Sequence, residues 1–187
     1  MQTILRGIRL MAMVIWVGGI IFFINVAQIA FSTLPTKHLA GIIVRGSLDR
    51  IHLFGIVCTI VFAIATFAQI YKRRRERHLV RSYSLSLIFL LPMLLCTLYS
   101  QYVIIPHMEQ DRAEVVRILN PTPAVIGPIV PAKPVEVDDL PTDHPIRLDF
   151  ERLHKQSTNV EGAVLLFGIC ILALIAREPH LTAQPRS

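Results

Sequence analysis

The sequence contains few charged residues and no complete catalytic motif. Asp, Glu, Lys and Arg make up 17% of its 187 residues and hydrophobic residues make up 53%, whereas about a quarter of an ordinary soluble domain is charged. This shortage of charge excludes a water-soluble globular domain. The sequence also lacks a nucleophile with an evident base and paired carboxylates on one predicted element, so we do not expect an enzyme.

Cysteine is equally scarce, and its spacing matches no cofactor motif. The three cysteines, Cys58, Cys96 and Cys170, lie far apart within apolar stretches. Without C-x-x-C or C-x-x-C-H there is no sign of paired-cysteine zinc, thiol redox or c-type haem chemistry, and no disulfide framework is implied. We expect all three side chains to be small packing residues.

Long apolar runs are what the sequence has in abundance. A helix needs about 20 apolar residues to cross a hydrocarbon core of roughly 30 Å. The alternative for the first run is a cleaved signal peptide, whose apolar core is usually shorter than this one. The sequence therefore predicts an all-α membrane protein, a single domain of residues 1–187 in which four transmembrane helices form a bundle. The predicted spans are residues 10–32, 51–71, 82–105 and 156–176.

Residues 106–155 form a Pro-rich extracytoplasmic connector between the third and fourth predicted spans. Residues 108–119 have helical character, but seven prolines crowd residues 121–145 and predict an extended, polyproline-like conformation. A semi-rigid linker is the usual meaning of such a composition, and a docking site for a protein partner is the alternative. Asp143 and Pro145 then predict the start of a helix that runs without a break into the fourth span.

The basic residues predict the orientation of the bundle. Lys and Arg in short loops stay on the cytoplasmic side, and the loop between the second and third spans holds six basic residues and one acid. We therefore expect this loop and both termini in the cytoplasm, with the protein in the plasma (inner) membrane. Anionic lipid headgroups, rather than nucleic acid, are the expected partners of this charge. The expected headgroup-binding residues are Lys72, Arg73, Arg74, Arg75 and Arg77.

Polar side chains within the spans concentrate in their outer halves. Such groups usually face the interior of a bundle or a cavity, because exposing them to lipid is costly. The inner halves hold little beyond Thr66, Gln69, Ser84 and Ser86. The candidates for an outward-facing polar pocket are Asn25, Gln28, His52, Tyr99, Tyr102, Arg147, His154, Ser157, Asn159 and Glu161.

Glu161 is the most unusual of these residues, since a charge at the bilayer centre costs about 3 kcal/mol on insertion scales. Arg147, His154 and Glu161 recur every seven residues, so a helix places them on one face, with Ser157 between the last two. Glu161 therefore needs a partner at a comparable depth. The candidates are His52, Tyr99, Tyr102 and Arg50.

Two interpretations of the polar residues stay open: a pocket that binds a cation, a metal or a proton, and interfacial groups that hydrogen-bond the helices together. Neutral imidazole is the commonest metal ligand, and the candidate ligands are His52, His107 and His154. The patterns H-x-x-x-H and H-E-x-x-H are absent, as is a Met-rich run. We accordingly expect no cofactor first, copper second and haem last, the haem held by a pair such as His52 and His107.

Two motifs carry a family resemblance. W-V-G-G at residues 16–19 is followed by F-F at residues 22–23, and R-x-x-F-x-x-L-H-x-x-S-x-N at residues 147–159 leads into the last span. With these motifs and its four spans, the chain resembles the small four-span family that includes eukaryotic transmembrane protein 205 and bacterial relatives of unknown function. W-x-G-G is also similar to the membrane domain of CopD-type copper-resistance proteins. The resemblance implies a four-helix membrane protein without an established reaction.

Two functions are open as hypotheses. In the first, the protein is a binding or transport-accessory membrane protein whose polar pocket opens outward and takes a cation or metal. In the second, it is a small structural subunit of a larger respiratory or photosynthetic membrane complex. The Pro-rich segment and the apolar helix surfaces would then dock protein partners.

Overall fold

The computed structural model describes residues 2–73, 77–119 and 135–178, and the elements within these ranges are helical. Besides five α-helices, these ranges contain a π-helical segment at Ser100–Ile104 and a short 3-10 turn at Val137–Asp139. The prediction of an all-α membrane protein is confirmed. Residues 120–134, which hold five of the seven prolines predicted to be extended, lie outside the described residues, as do Arg74 and Arg75 of the basic loop, whereas residues 106–119 and 145–155 of the predicted connector are helical. The helices are α1 (Gln2–Thr33), α2 (Lys37–Lys72), α3 (Arg77–Tyr99), α4 (Ile105–Leu119) and α5 (Pro145–Ala176).

Four helical units are long and apolar enough to cross a membrane, so the chain is a multi-pass membrane protein. Each unit begins or ends beyond the apolar run that predicted it. Three of the units coincide with, or nearly fill, α1, α2 and α5, whereas the fourth combines α3, the π segment and α4. The units are Thr3–Thr33, Lys37–Lys72, Val80–Leu119 and Pro145–Ala176.

Helix α2 begins much earlier than its predicted span. The hydroxyl of Thr36 accepts a hydrogen bond from the backbone N–H of Leu39 at 3.2 Å, which caps the first turn. The loop expected before residue 51 is therefore replaced by a tight turn and about four further helical turns. Hydropathy missed these turns because four charged residues interrupt their apolar sequence: Lys37, Arg45, Asp49 and Arg50.

The four units stand at the corners of a square. Helix α1 packs on α2 and α5, and α3 packs on the same two helices, so α1 faces α3 and α2 faces α5 across the diagonals. The interior is filled by large side chains from all four corners, among them Trp16, Phe62, Met93 and Val164. We call the end where α1 and α3 begin the termini end, and the end where α1 finishes and α4 lies the connector end.

The outer surface of the bundle is apolar along its length. Large side chains on every unit are more than half exposed, as at Phe22, Ile64, Leu91 and Leu166. Exposure of this kind would be costly in water, at about 25 cal/mol per Å² of apolar surface, but costs nothing against lipid chains. The exposed surface is therefore that of a protein in contact with a lipid bilayer.

The π segment, Ser100–Ile104, allows one continuous rod to contain a proline near its middle. The backbone N–H of Ile105 bonds to the carbonyl of Ser100, five residues back. Pro106 has no N–H to donate, and its ring crowds the carbonyl four residues before it. A wider π turn at this point accommodates that clash, and such turns often occur at functional sites. Ser100 and Gln101, its first two residues, both belong to the site described next.

Helix α5 begins where the sequence predicted and anchors the segment before it. The ring of His144 accepts a hydrogen bond from the backbone N–H of Ile146, and Pro145 occupies the first helical position, where no N–H is needed. Arg147 then donates from its guanidinium to the backbone carbonyls of Asp138 and Leu140 at 3.1 and 2.8 Å. The 3-10 turn is thereby held against the connector end.

Candidate functional site

A chain of polar side chains crosses the bundle from α2 to α5 near the connector end. His52 lies at its centre, with its Nδ1 2.8 Å from the amide oxygen of Gln101 and its Nε2 2.9 Å from a carboxylate oxygen of Glu161. The amide nitrogen of Gln101 donates to Asp49 at 3.2 Å, and the hydroxyl of Ser100 donates to the same oxygen of Glu161 at 3.0 Å. These five residues form what we call the polar cluster.

The hydrogen bonds of the polar cluster require a proton between His52 and Glu161. The amide nitrogen of Gln101 is committed to Asp49, so its oxygen faces His52 and Nδ1 must carry a proton. Nε2 then faces Glu161 either as an N–H beside a carboxylate or as a lone pair beside a protonated acid. Both forms hold one proton, and in both the pair has no net charge. Loss of that proton would leave one negative charge beside Asp49.

The polar cluster is secluded from lipid by close packing. His52 and Ser100 are buried, and Glu161 is 7% exposed. One turn below His52, Gly55 packs against the indole of Trp16, where a Cβ atom would lie 2.5 Å from Nε1. Thr59 continues this face and donates to the carbonyl of Gly55 at 2.9 Å. Apolar packing therefore closes the cluster on the side of the termini end.

Glu161 also lines a cavity of about 550 Å³ at the connector end, which we call the main cavity. Its walls come from α1, α2, α4 and α5 and are largely apolar, with Phe23, Leu48 and Ile105 packed together on one side. A volume of this size is in the range of small-molecule sites, which are usually apolar with a few convergent polar groups. The main cavity therefore leads to the polar cluster, with Glu161 as its most deeply buried acid.

A second cavity of about 420 Å³ adjoins the main cavity and is walled in part by the segment before α5. Phe31, Arg112 and His154 line both cavities. The segment is held by an ion pair between Lys37 and Asp138 and by a 3.2 Å hydrogen bond from the backbone N–H of His38 to Glu136. The second cavity is thus a covered extension of the main one.

The predicted pocket residues fall into two groups. Gln28, His154, Ser157 and Glu161 line the main cavity, and His52 reaches it through Glu161. The others lie apart from it. Asn25 donates to the carbonyl of Ile21 and Arg147 holds the segment before α5, while three are exposed on the surface: Tyr99, Tyr102 and Asn159.

The three histidines expected as metal ligands are not brought together. Both ring nitrogens of His52 are hydrogen-bonded, His154 is on a cavity wall, and His107 is exposed and lines neither cavity. Among residues 2–73, 77–119 and 135–178, no group of three His, Cys, Asp or Glu side chains could hold a metal ion. The predicted partner of Glu161 that the structure places beside it is His52, and Arg50, Tyr99 and Tyr102 are exposed.

A second polar cluster, at the termini end, escaped the sequence analysis. The guanidinium of Arg9 is completely buried, and its Nη1 donates at 2.7 Å both to the amide oxygen of Gln69 and to the carboxylate of Glu178. Ser86 accepts at 3.3 Å, and the rings of Phe62 and Tyr83 flank the cation at 5.0 and 4.9 Å. Arg9 was interpreted only as an orientation signal, because it lies just before the first predicted span. Gln69 and Ser86 were the available clue, because polar groups inside a span need a partner.

Of the residues expected to bind lipid headgroups, two have described side chains. Lys72 is the last residue of α2, and the backbone N–H of Arg73 caps this helix by bonding to the carbonyls of Gln69 and Ile70. Arg77 begins α3. Lys72, Arg73 and the start of α3 at Arg77 therefore lie at the termini end, on the opposite end of the bundle from the main cavity.

Comparison with known proteins identifies a family and no closer relative. No curated protein and no solved structure matches the chain at a significant level. The model of a domain of unknown function, DUF4149, matches residues 11–115. The match spans α1 to α4 and includes Asp49, His52, Ser100 and Gln101, whereas Glu161 lies beyond it. Since it covers more than half of the chain, this protein belongs to the DUF4149 family, whose function is unknown.

Proposed function

We propose that this protein binds a cation in the main cavity, in exchange for the proton shared by His52 and Glu161. The observation that carries the proposal is the buried carboxylate of Glu161, which lines the cavity while its other contacts are to His52 and Ser100. When the proton leaves to solvent, the pair gains a negative charge that a bound cation neutralises. Asp49, linked through Gln101, adds to the attraction.

An organic cation suits the site better than a coordinated metal ion. The main cavity that Glu161 lines is largely apolar, with Phe23, Leu48 and Ile105 in its walls, and such walls favour the apolar body of a ligand. A zinc ion, for example, usually takes three or more protein ligands. No group of three His, Cys, Asp or Glu side chains that could hold a metal occurs in the described part of the chain. The role proposed is binding, as part of transport or tolerance, rather than catalysis.

The first prediction concerns the charge and the proton. Purified protein in lipid nanodiscs is expected to bind tetraphenylphosphonium and to release about one proton per ligand by linkage. Glu161→Gln is expected to weaken this binding about tenfold or more, because opposite unit charges about 6 Å apart attract by about 3 kcal/mol at an effective dielectric constant of about 20, and 1.4 kcal/mol is a factor of ten. Isothermal titration in buffers of different ionisation enthalpy measures both quantities.

Three comparisons make that experiment decisive. Tetraphenylborate has the same shape and the opposite charge, so any binding of it should neither depend on Glu161 nor release a proton. Glu114→Gln removes a carboxylate that pairs with Arg117 outside both cavities and should bind like the parent protein. Binding that is unchanged in Glu161→Gln, or that releases no proton, would contradict the proposal. Copper or zinc binding that requires His52, His107 and His154 would replace the organic cation with a metal.

We also infer that the termini end faces the cytoplasm, so that the main cavity opens to the outside of the plasma (inner) membrane. The support is the concentration of basic residues around Lys72, because such loops stay inside. In a variant without native cysteines, Thr142→Cys should react with a membrane-impermeant maleimide on intact cells, and Thr3→Cys only after lysis. The reverse pattern would invert the assignment.

The structural-subunit role is the alternative proposal, with protein partners from a larger respiratory or photosynthetic complex. Exposed apolar helix surfaces do not favour it, because lipid covers such surfaces in any membrane protein. Purification in mild detergent as a lone monomer would argue against it. A closer relationship to the family of eukaryotic transmembrane protein 205 is likewise a proposal, and one of its two motifs, at residues 147–159, lies beyond the matched residues 11–115.

A further inference from the structure

Two arginines share one carboxylate at the mouth of the main cavity. Nη1 of Arg112 lies 3.0 Å from one oxygen of Glu109, and Arg45 forms an ion pair with the other. Arg45 comes from α2, whereas Glu109 and Arg112 come from α4. One carboxylate cannot neutralise two guanidiniums, so this triad carries a net positive charge. Its side chains are 31% to 44% exposed, which leaves N–H groups available to a ligand.

The guanidinium of Arg112 is held in place on three sides. It stacks over the ring of Phe150 at 5.3 Å and donates to Glu109. On the third side it lies against Gly41, where a Cβ atom would be 2.9 Å from Nη2. Because Arg112 lines both cavities, its charge is fixed at their junction. A fork of N–H groups held in this way suits a carboxylate or phosphate group.

Several acids near the triad have side-chain partners other than Arg45 and Arg112. Asp138 pairs with Lys37, and Glu151 pairs with Arg147 at 3.0 Å. Asp49 is one turn from Arg45 and accepts the hydrogen bond from Gln101. On the remaining side of α4, Asp111 lies near His107 and near the like charge of Asp149, which pairs with Arg152 at 2.8 Å, and one buried oxygen of Asp111 has no hydrogen-bond partner. Among the described residues, Glu109 is the acid that forms ion pairs with Arg45 and Arg112, so the triad itself keeps an excess positive charge at the cavity mouth.

The main cavity thus has opposite charges at its two ends. Arg45 and His52 are seven residues apart on α2, which at about 1.5 Å per residue is about 10 Å along the helix axis. Phe23, Leu48 and Ile105 form an apolar wall between these levels. A ligand that fills this space would place a cation at Glu161, a short apolar body along the wall and an acidic group at the triad.

We propose that the ligand is a zwitterionic amphiphile, with its acidic group bound by Arg45 and Arg112. This inference rests on the proposed function, because it assigns the second half of the ligand whose cation Glu161 binds. The acidic group is a carboxylate or a phosphate, which the guanidinium fork accepts with similar geometry. Arg45 and Arg112 set the specificity of the cavity, and Glu161 supplies the exchange of charge.

The test compares ligands that differ only in the acidic group. Octylamine and 8-aminooctanoate are to be titrated against protein in nanodiscs of zwitterionic lipid, by displacement of tetraphenylphosphonium. We expect 8-aminooctanoate to bind about tenfold or more tightly than octylamine, since a hydrogen bond to a charged group contributes about 1.5–3 kcal/mol. Arg112→Gln should abolish this ratio and leave the affinity for octylamine within about twofold.

Further variants separate a binding role from a structural one. Arg117→Gln removes a cation of α4 that pairs with Glu114 and lines neither cavity, so it should keep the ratio. Gly41→Val keeps every charge but displaces Arg112, so the ratio should fall. Arg112→Lys preserves the charge and loses the fork, and it serves if Arg112→Gln does not fold. Added phosphate or anionic lipid should compete with 8-aminooctanoate but not with octylamine. Whether phosphate or the lipid competes identifies the source of the acidic group.

Two outcomes overturn different claims. Equal affinities for the two ligands in the parent protein would refute the zwitterion. So would a ratio that is unchanged in Arg112→Gln, or in Arg112→Lys if Arg112→Gln does not fold. In each case binding of octylamine and its dependence on Glu161 would still stand. Failure of tetraphenylphosphonium and octylamine alike to bind would refute the proposed function itself, and with it this extension.

Discussion

Replacing Arg9 with alanine is expected to lower the free energy of unfolding by about 3–5 kcal/mol, because removal of one partner leaves the buried charge of the other uncompensated. The guanidinium of Arg9 has no exposure, and Glu178 is 6% exposed. The variant would also lose the hydrogen bond to Gln69 and the stacking on Phe62. Thermal unfolding in detergent micelles, followed by circular dichroism, measures the loss.

Two companion variants show whether the ion pair is responsible. Arg6 is partly exposed, lies 3.9 Å from Glu178 and donates to the carbonyl of Ile175 at 2.9 Å, so Arg6→Ala should cost clearly less than Arg9→Ala, at about 1–2 kcal/mol. The double variant Arg9→Met/Glu178→Met removes both charges and should recover much of the loss, because apolar groups often replace a buried pair at little cost. A double variant no more stable than Arg9→Ala alone would show that packing, and not charge, explains the effect.

Gly55→Ala should destabilise the bundle by about 1–3 kcal/mol, the usual effect of overpacking a core. An added Cβ would lie 2.5 and 2.6 Å from Nε1 and Cε2 of Trp16, which is itself only 2% exposed. The indole cannot withdraw without disturbing the interior, and its displacement would also move His52, one turn away on α2. The variant should therefore weaken cation binding as well as lower the unfolding midpoint.

Gly46, also on α2, provides a matched control for Gly55→Ala. A Cβ atom added to Gly46 meets open space, so Gly46→Ala should raise stability by about 0.5–1 kcal/mol through helix propensity alone. Combining Gly55→Ala with Trp16→Phe should restore part of the lost stability, because the smaller ring removes the atoms that clash. If the two alanine variants behave alike, the contact between Gly55 and Trp16 does not limit the packing of α1 on α2.

The fold was largely predictable, because the signal for a membrane helix is local. About 20 apolar residues identify a span whatever lies elsewhere in the chain, and the start of α5 at Pro145 followed from a local capping pattern. What could not be predicted depends on contacts between helices. The stretch from Lys37 to residue 50 has no continuous apolar run, and it is helical in a bundle where α2 packs on α1.

The candidate site was predictable only in part, for the same reason. Glu161 and His52 were predicted site residues because burying a polar or charged side chain in a membrane is costly. Their similar predicted depth in the membrane made His52 a candidate partner of Glu161. Gln101 was not among the predicted pocket residues, whereas Tyr99 and Tyr102 on either side of it were. The π segment breaks the regular helical period and so turns Ser100 and Gln101 toward the polar cluster. Arg112 stood outside every predicted span, and its place at the cavity depends on Gly41, which is 71 positions away in the chain.

Arg9 and Glu178 show the limit of reading charges by position. A basic residue before a span normally marks the cytoplasmic side, and nothing in the local sequence separates Arg9 from Arg6. The difference lies in what surrounds them: Gln69, Ser86 and the ring of Tyr83 converge on Arg9 from two other helices.

This pairing also orders events during synthesis. Glu178 follows Arg9 by 169 residues, so the first helix enters the membrane with a guanidinium whose carboxylate has not yet been translated. Until α5 is inserted, the lipid headgroup region solvates that guanidinium best, and the long side chain can reach it. The buried contacts of Arg9 are therefore complete only after α5 and Glu178 have been inserted.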